Sequence, residues 1–277
     1  MSNQEDQRNL AQRIFPLLLL AFFACVVWLL LVALQLAPAK NSHLLEATFL
    51  VLAAVLTVAS LARRLPVENA IMAAIYVAAI SFIVEIVGVK TGIPFGPLTY
   101  TESFGPQLFH VPWLVPLLWI IVILNSRGVA KLILRPWRKA NNYGFWVMGL
   151  TCLLALDLDL GLEPFATRIN HLWNWKSVGN SLSWYDSPWT NFLGWAATTL
   201  LILIFTTLWL INKRASQQET IDYPPLVLWL GLNFFLAGIN AIHGLWLAAA
   251  FGLCIGTLAL VFALRGARHS ALTKPAI

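Results

Sequence analysis

The stretch VENAIMAAIYVAAISFIVEIVG at residues 67–88 decides the fold class, because it is apolar over the length that crosses about 30 Å of hydrocarbon. Comparable stretches occupy residues 14–36, 44–62, 111–126, 143–160, 190–211, 224–242 and 245–264. The 277-residue chain is 59% hydrophobic and 11% charged, whereas soluble proteins carry about 25% charged residues. We therefore predict an all-α, polytopic membrane protein, with eight transmembrane helices in one bundle and residues 1–277 in a single domain.

The distribution of Lys and Arg predicts the orientation, since short cytoplasmic loops carry the excess of these residues. Both termini and every second loop are predicted to be cytoplasmic, in the inner membrane of the cell. The formal charge of +6 follows from this topology and from affinity for anionic lipid, so it indicates no nucleic-acid partner. These segments hold 14 of the 18 basic residues: Arg8, Arg13, Arg63, Arg64, Arg127, Lys131, Arg135, Arg138, Lys139, Lys213, Arg214, Arg265, Arg268 and Lys274.

Glu85 lies near the end of the opening stretch, and VKTGIPFGPLTY follows it at residues 89–100. An ionisable residue inside a membrane helix is by default a functional hypothesis, because burying its charge in hydrocarbon is costly. The glycines and prolines that follow suit a re-entrant or capping loop at residues 89–110. An ordinary rigid turn is an equally good interpretation of that composition.

A second group of acids ends the fifth span, in the sequence LDLDLGLEP at residues 156–164. Gly161 and Pro164 predict that the helix stops here. While the helix lasts, Asp159 and Glu163 share one face, and Asp157 points about 200° away from Asp159. Solvated interfacial acids are the alternative. With Glu85 at the same depth, the pattern favours a site built from paired carboxyl groups.

Tryptophans are concentrated in the next segment, residues 161–189, and at the start of the sixth span. An aromatic belt at the membrane surface explains their depth. It does not explain Asn191 and Gly194, which open a membrane helix in the sequence PWTNFLGW at residues 188–195. Asn191 is interpreted either as a helix cap or as part of the site. The tryptophans concerned are Trp173, Trp175, Trp184, Trp189 and Trp195.

Metal and nucleotide motifs are absent from the sequence. The five histidines form no His-x-x-His or Glu-x-x-His cluster, which argues against a di-iron oxygenase. No phosphate-binding glycine loop or dinucleotide fingerprint occurs. We predict that no cofactor or metal is needed, with a single metal held by His110 or His171 and the acids as the alternative.

Taken together, these residues resemble the carotenoid biosynthesis protein family, of the carotenoid 1,2-hydratase and bisanhydrobacterioruberin hydratase type. The resemblance spans residues 85–195 as a family-like core. Leu98 departs from it, standing where an aromatic residue is expected, and so does the acid Asp157. The matching residues are Glu85, Gly88, Thr91, Gly92, Pro94, Phe95, Gly96, Gly105, Pro106, Val111, Pro112, Val115, Pro116, Asp159, Glu163, Pro164, Trp173, Trp175, Pro188, Asn191, Phe192, Gly194 and Trp195.

The resemblance implies a hydro-lyase that adds water to the terminal double bond of a linear carotenoid. Such chemistry needs a protonated carboxylic acid, and an apolar site with a second carboxylate favours that form. We expect Asp159 to donate the proton, with Glu85 or Glu163 as partner and base and with Asn191 holding water. The expected substrate-binding residues are Thr91, Phe95, Tyr100, Trp173, Trp175 and Trp195.

Two other functions stay open at this point. Asp159-x-x-x-Glu163 is half of what an intramembrane prenyltransferase uses to hold Mg²⁺ against a diphosphate. A non-catalytic carotenoid binder or transporter also places carboxyl groups inside a membrane. Membrane lipid is an expected partner in every case, and other enzymes of carotenoid synthesis are possible partners.

Overall fold

The computed structural model describes residues 2–38, 42–176, 182–211 and 221–272. Over these ranges eight helices form a bundle, and each is long and apolar enough to cross a membrane. The predicted fold class is therefore confirmed, whereas the orientation of the termini stays a prediction, and Lys213, Arg214 and Lys274 lie outside the described ranges. The helices are α1 (Ser2–Ala33), α2 (Ser42–Ala62), α3 (Val67–Thr91), α4 (Val115–Ile133), α5 (Tyr143–Pro164), α6 (Trp189–Leu210), α7 (Pro224–Ile242) and α8 (Trp246–Leu272).

Helix α4 differs from its predicted range, residues 111–126, at both ends. Val111 and Pro112 form a short strand, β3, which pairs with β2 (Gln107–Leu108). The helix starts only at Val115, with Pro116 in its first turn, where the missing N–H of a proline costs nothing. It then continues to Ile133 and includes Arg127 and Lys131, which lay outside the predicted span because they are charged.

The prediction that helix α5 stops at Gly161 is wrong. The helix continues to Pro164 and into a π turn at Phe165–Ile169. Pro164 cannot donate a backbone hydrogen bond to the Leu160 carbonyl four residues earlier. The indole of Trp184 donates instead, with Nε1 at 2.9 Å from that oxygen. The Gly161 carbonyl accepts from the amide of Asn240 on α7 at 2.8 Å. Donors from elsewhere in the chain thus allow the helix to continue past its breakers.

The two non-helical segments meet in a small antiparallel sheet at one end of the bundle. Strand β1 (Leu98–Tyr100) pairs with β4 (Trp173–Trp175), so that Leu98 lies opposite Trp175 and Tyr100 opposite Trp173. A second hairpin, β5 (Ser183–Trp184) and β6 (Ser187–Pro188), leads into α6. The sheet holds aromatic side chains over the ends of α3 and α5.

Helix α4 is central, since it packs against α2, α3, α5, α7 and α8. Its contact with α7 depends on Gly128. A Cβ at this position would lie 2.3 Å from the Cβ of Pro225, well inside van der Waals contact. Glycine therefore sets the distance between the two helices, as small residues do in membrane bundles.

Replacing Gly128 by Ala should lower the free energy of unfolding by about 1–3 kcal/mol, because the added methyl group forces α4 and α7 apart. The measurement is thermal unfolding of the purified protein in detergent. Gly149→Ala is the matched control, since a Cβ added there meets nothing within 4 Å apart from its own stretch of helix. Equal melting temperatures for the two variants would show that the α4–α7 contact tolerates the extra volume.

Candidate active site

Three carboxyl groups are buried together near the sheet. Glu85 on α3 is 4% exposed, Asp159 on α5 is fully buried and Glu163, one helical turn further on, is 1% exposed. Asp159 and Glu163 share one face of α5, as their spacing predicts. Asp157 points to another side, where its carboxyl group accepts a hydrogen bond from Asn233 of α7. Asp159 and Glu163 therefore face the site while Asp157 faces α7, as the angle of about 200° between Asp157 and Asp159 around the helix predicts.

Asn191 joins the two acids of α5. Its Nδ2 lies 3.0 Å from Asp159 Oδ2 and 2.9 Å from Glu163 Oε1, so one amide group donates to both side chains. This contact rules out the interpretation of Asn191 as a helix cap, since its side chain bonds the acids and Pro188 occupies the cap position. Asp159 Oδ1 is buried without a hydrogen-bond partner among the described residues.

Glu163 also accepts hydrogen bonds from two indoles of β4. Nε1 of Trp175 lies 2.9 Å from Glu163 Oε2, and Nε1 of Trp173 lies 3.3 Å from the same oxygen. Together with the Asn191 amide, these give Glu163 three N–H donors. Donors of this number stabilise a carboxylate anion. Glu163 is therefore the acid of α5 that the structure best equips to carry negative charge.

Glu85 has its own pair of donors. The hydroxyl of Tyr100 donates to Oε2 at 2.8 Å, and the indole of Trp119 on α4 donates to Oε1 at 2.9 Å. The Trp119 ring also stacks on Trp195, with centroids 4.2 Å apart. The sequence prediction missed Trp119, although an indole N–H in an apolar helix requires a partner from elsewhere, and that requirement was the available signal.

Tyr100 stays a hydrogen-bond donor at all ordinary pH values. Burial raises the pKa of Tyr100 well above its usual value, and the nearby negative charge of Glu85 adds to the effect. Because burial disfavours ionisation of the phenol, its O–H is kept as the donor to Glu85 Oε2. Tyr100 therefore helps to hold that carboxyl group in position.

A cavity of about 20 Å³ lies between these groups, which is room for roughly one water molecule. Its polar walls are the carboxyl groups of Glu85 and Glu163 and the amide of Asn191. The other walls are mostly aromatic and apolar. They comprise the predicted residues Phe95, Tyr100, Trp173, Trp175 and Trp195, together with Leu98, Phe104, Val115, Leu118 and Trp119, which were not predicted.

Two of the predicted site residues do not line this cavity. Asp159 lies behind its wall, tied to it through Asn191. Thr91 is exposed at the end of α3, where its hydroxyl donates to the Val87 carbonyl and accepts from the Ile93 N–H. Thr91 therefore shapes the turn after α3, and a role in binding substrate has no support from its contacts. Leu98, where the resemblance expects an aromatic residue, presents an aliphatic wall.

Within the described part of the chain, no group of three or more His, Cys, Asp and Glu side chains is arranged to hold a metal ion. Nδ1 of His171 lies 2.9 Å from the Thr167 carbonyl, and His171 and His110 are both exposed. The absence of a metal or cofactor requirement stays a prediction. The site as built offers carboxyl groups, indole faces and one small polar cavity.

Comparison with known proteins agrees with the sequence pattern. The family model described as carotenoid biosynthesis protein matches residues 45–259, a range wider than the predicted family-like core. Bisanhydrobacterioruberin hydratase of Haloarcula japonica is 28% identical over 167 residues, 56% of this chain and 53% of that protein. The chain thus spans about half the length of this curated relative. No solved structure matches it. This chain belongs to the carotenoid biosynthesis protein family.

Proposed function

We propose that this membrane protein is a carotenoid hydratase, which adds water to the terminal 1,2 double bond of a linear carotenoid without a cofactor. The observation that carries the proposal is the cavity itself, which has the volume of one water molecule and lies between buried carboxyl groups and indole rings. Membership of a carotenoid biosynthesis family and similarity to a hydratase support it.

The proposed reaction has two bond-forming steps. A carboxylic acid gives its proton to C2 as the π bond breaks, which leaves a tertiary cation at C1. The oxygen of the trapped water then bonds to C1, and the water loses one proton to a carboxylate. The product contains one more water than the substrate, and return of the proton from the base that took it to the acid that gave it restores the starting state. General acid catalysis of this kind contributes about 10²–10⁴-fold.

The geometry refines the roles expected from the sequence. Glu163 lines the cavity and Asp159 does not, so we assign proton delivery to Glu163 and storage of the proton to Asp159, with Asn191 binding both. The stored proton moves to Glu163 for the reaction, and the three N–H donors then stabilise the Glu163 anion that remains after delivery. The unpartnered Asp159 Oδ1 supports this assignment, because it is an oxygen of the pair with no donor. A proton there places no uncompensated charge in an apolar site.

Glu85 stands as the base that orients the water. Its two donors, Tyr100 and Trp119, hold the carboxyl group in the cavity wall. Indole rings stabilise a nearby cation through their negative faces, and the stacked Trp119 and Trp195 supply such faces. The carboxylate and the rings together offset the charge that develops at C1.

The site suits a substrate dissolved in the membrane. The cavity is at the end of the bundle, where helices meet the small sheet, so lipid and water are both within reach. We propose that this end is the non-cytoplasmic side of the inner membrane, following the Lys and Arg distribution.

Pigment analysis in a bacterial host tests the function. We expect host cells that accumulate lycopene or bisanhydrobacterioruberin to gain, on expression of this chain, a product heavier by one water, detected by chromatography and mass spectrometry. Membranes treated with EDTA should retain the activity, which distinguishes a hydratase from a Mg²⁺-dependent prenyltransferase. Unaltered pigment with both substrates, despite protein in the membrane, would contradict the proposal and favour a non-catalytic carotenoid binder.

A further inference from the structure

The cavity is too small for the end of an isoprenoid chain. It holds about one water molecule, whereas the reacting end group carries two methyl groups besides the alkene carbons. At least one wall must therefore move before such a chain can enter. We look for this wall among the side chains that no hydrogen bond holds.

Most of the walls are held by specific contacts. Hydrogen bonds hold the side chains of Glu85, Tyr100, Trp119, Glu163, Trp173, Trp175 and Asn191. Trp195 stacks on Trp119, and Phe104 packs against the rings of Tyr100 and Trp173. Leu98 belongs to the paired strand β1, and the remaining two residues lie on the central helix α4.

Phe95 is the wall residue that lies in a turn, outside every helix and strand. Its ring packs against Trp119, with centroids 6.5 Å apart, and its carbonyl accepts a hydrogen bond from Thr190 of α6. The side chain is 1% exposed, and no hydrogen bond holds the ring itself. The ring fits between two glycines on different helices. A Cβ at Gly88 of α3 would lie 2.8 Å from the ring, and one at Gly194 of α6 would lie 2.6 Å from it. Phe95 therefore fills a slot whose sides are bare backbone.

This slot faces the outside of the bundle through apolar residues. It lies at the seam between α3 and α6, which pack directly against each other. Ile93, two residues before Phe95, is 69% exposed, and Leu193, next to Gly194, is 71% exposed. In a membrane-spanning bundle such exposed apolar side chains meet lipid tails. Phe95 is therefore the wall of the cavity that lies directly behind this apolar seam.

We propose that the slot between Gly88 and Gly194 is the entrance for an isoprenoid end group, and that Phe95 is the side chain that moves aside to admit it. The identity of the occupant rests on the proposed function, whereas the position of the entrance rests on the packing of Phe95. In the closed state the Phe95 ring separates the single water site from lipid. In the open state the end group takes the place of the ring beside Glu85 and Glu163.

Thiol labelling tests the entrance without relying on catalysis. In a background carrying Cys25→Ala, Cys152→Ala and Cys254→Ala, we compare Phe95→Cys with Phe104→Cys, a matched aromatic wall residue that is also buried but lies away from the seam. In membranes, a lipid-soluble maleimide should label position 95 faster by about tenfold or more, because local opening occurs there. Added lycopene should block labelling at 95.

Equal labelling at the two positions, or labelling at position 95 that lycopene does not slow, would overturn the proposal. Protection at position 95, together with unaltered lycopene and bisanhydrobacterioruberin in hosts that express the unsubstituted chain, would leave the entrance standing and contradict the hydratase function instead. The two ideas are thus tested separately.

A second pair of variants keeps the test decisive if Phe95→Cys fails to insert. Gly88→Ala adds a methyl group inside the slot, and Gly149→Ala makes the same change where the added Cβ meets nothing within 4 Å apart from its own stretch of helix. We expect purified Gly88→Ala to retain lycopene severalfold less than Gly149→Ala, measured as pigment absorbance per protein. Equal retention in the two variants would overturn the proposed entrance.

Discussion

Replacing Glu163 by Gln should lower the rate of carotenoid hydration by about 10²–10⁴-fold, the usual contribution of a general acid. The amide has nearly the shape of the acid and keeps a carbonyl oxygen for the indoles of Trp173 and Trp175, while its NH2 group faces the Asn191 amide and loses that one bond. Melting in detergent is therefore measured beside activity, so that a loss of stability is not counted as a loss of catalysis. In the proposed reaction the amide can no longer deliver the proton to C2. The measurement is the amount of hydrated product per membrane-inserted protein in the carotenoid-accumulating host.

The matched control is Glu102→Gln, which makes the same chemical change at an exposed acid in the turn after β1 and should leave the rate unchanged. Asp159→Asn tests which member of the Asp159–Glu163 pair delivers the proton directly. A smaller fall than in Glu163→Gln is expected from a residue that stores the proton behind the cavity wall. A larger fall in Asp159→Asn would return the direct donor role to Asp159, and full activity in both variants would remove the pair from the reaction.

Replacing Asn191 by Leu should abolish most activity and also weaken the fold. Leucine has a similar volume but cannot donate, so Asp159 Oδ2 and Glu163 Oε1 each lose their bond to the bridging amide. A buried polar atom left without its partner costs about 1–3 kcal/mol. Two such atoms lie in the interior of this site, and the variant should therefore show both a lower melting temperature and little hydrated product.

Asn174→Leu provides the control for this change, because Asn174 lies in β4 with an exposed side chain. Melting in detergent and pigment analysis on the same preparations separate the two effects. An Asn191→Leu protein with the melting temperature of the wild type would show that the bridging amide contributes no stability. If it also formed hydrated product at the wild-type rate, Asn191 would have no part in the site.

The sequence predicted those features that depend on spacing along a helix or on transfer of apolar residues out of water. Eight apolar stretches were enough to indicate the eight helices, because each must bury its own backbone polar groups. The shared face of Asp159 and Glu163 follows from a separation of four residues. The segments after α3 and α5 both connect helices at the same end of an alternating bundle, which is consistent with the pairing of β1 with β4.

What the sequence could not predict depends on donors contributed from distant parts of the chain. Helix α5 continues past Gly161, whose carbonyl accepts a hydrogen bond from Asn240 of α7, and no local pattern contains that information. Trp119 joins the site through one indole N–H, while its neighbours on α4 are ordinary apolar residues. Thr91 resembles a binding residue in sequence, but its hydroxyl is used by the turn in which it lies.

Because Trp184 donates to the Leu160 carbonyl that Pro164 leaves without a backbone donor, the residues at positions 164 and 184 should vary together among relatives. A chain that exchanges Pro164 for another residue regains a backbone donor for Leu160, which frees Trp184 to vary. A chain that keeps the proline but loses the indole leaves a carbonyl unpaired next to the carboxyl site. The loop after α5 is therefore not an interchangeable connection, and transplanting it between relatives requires the matching residue at position 164.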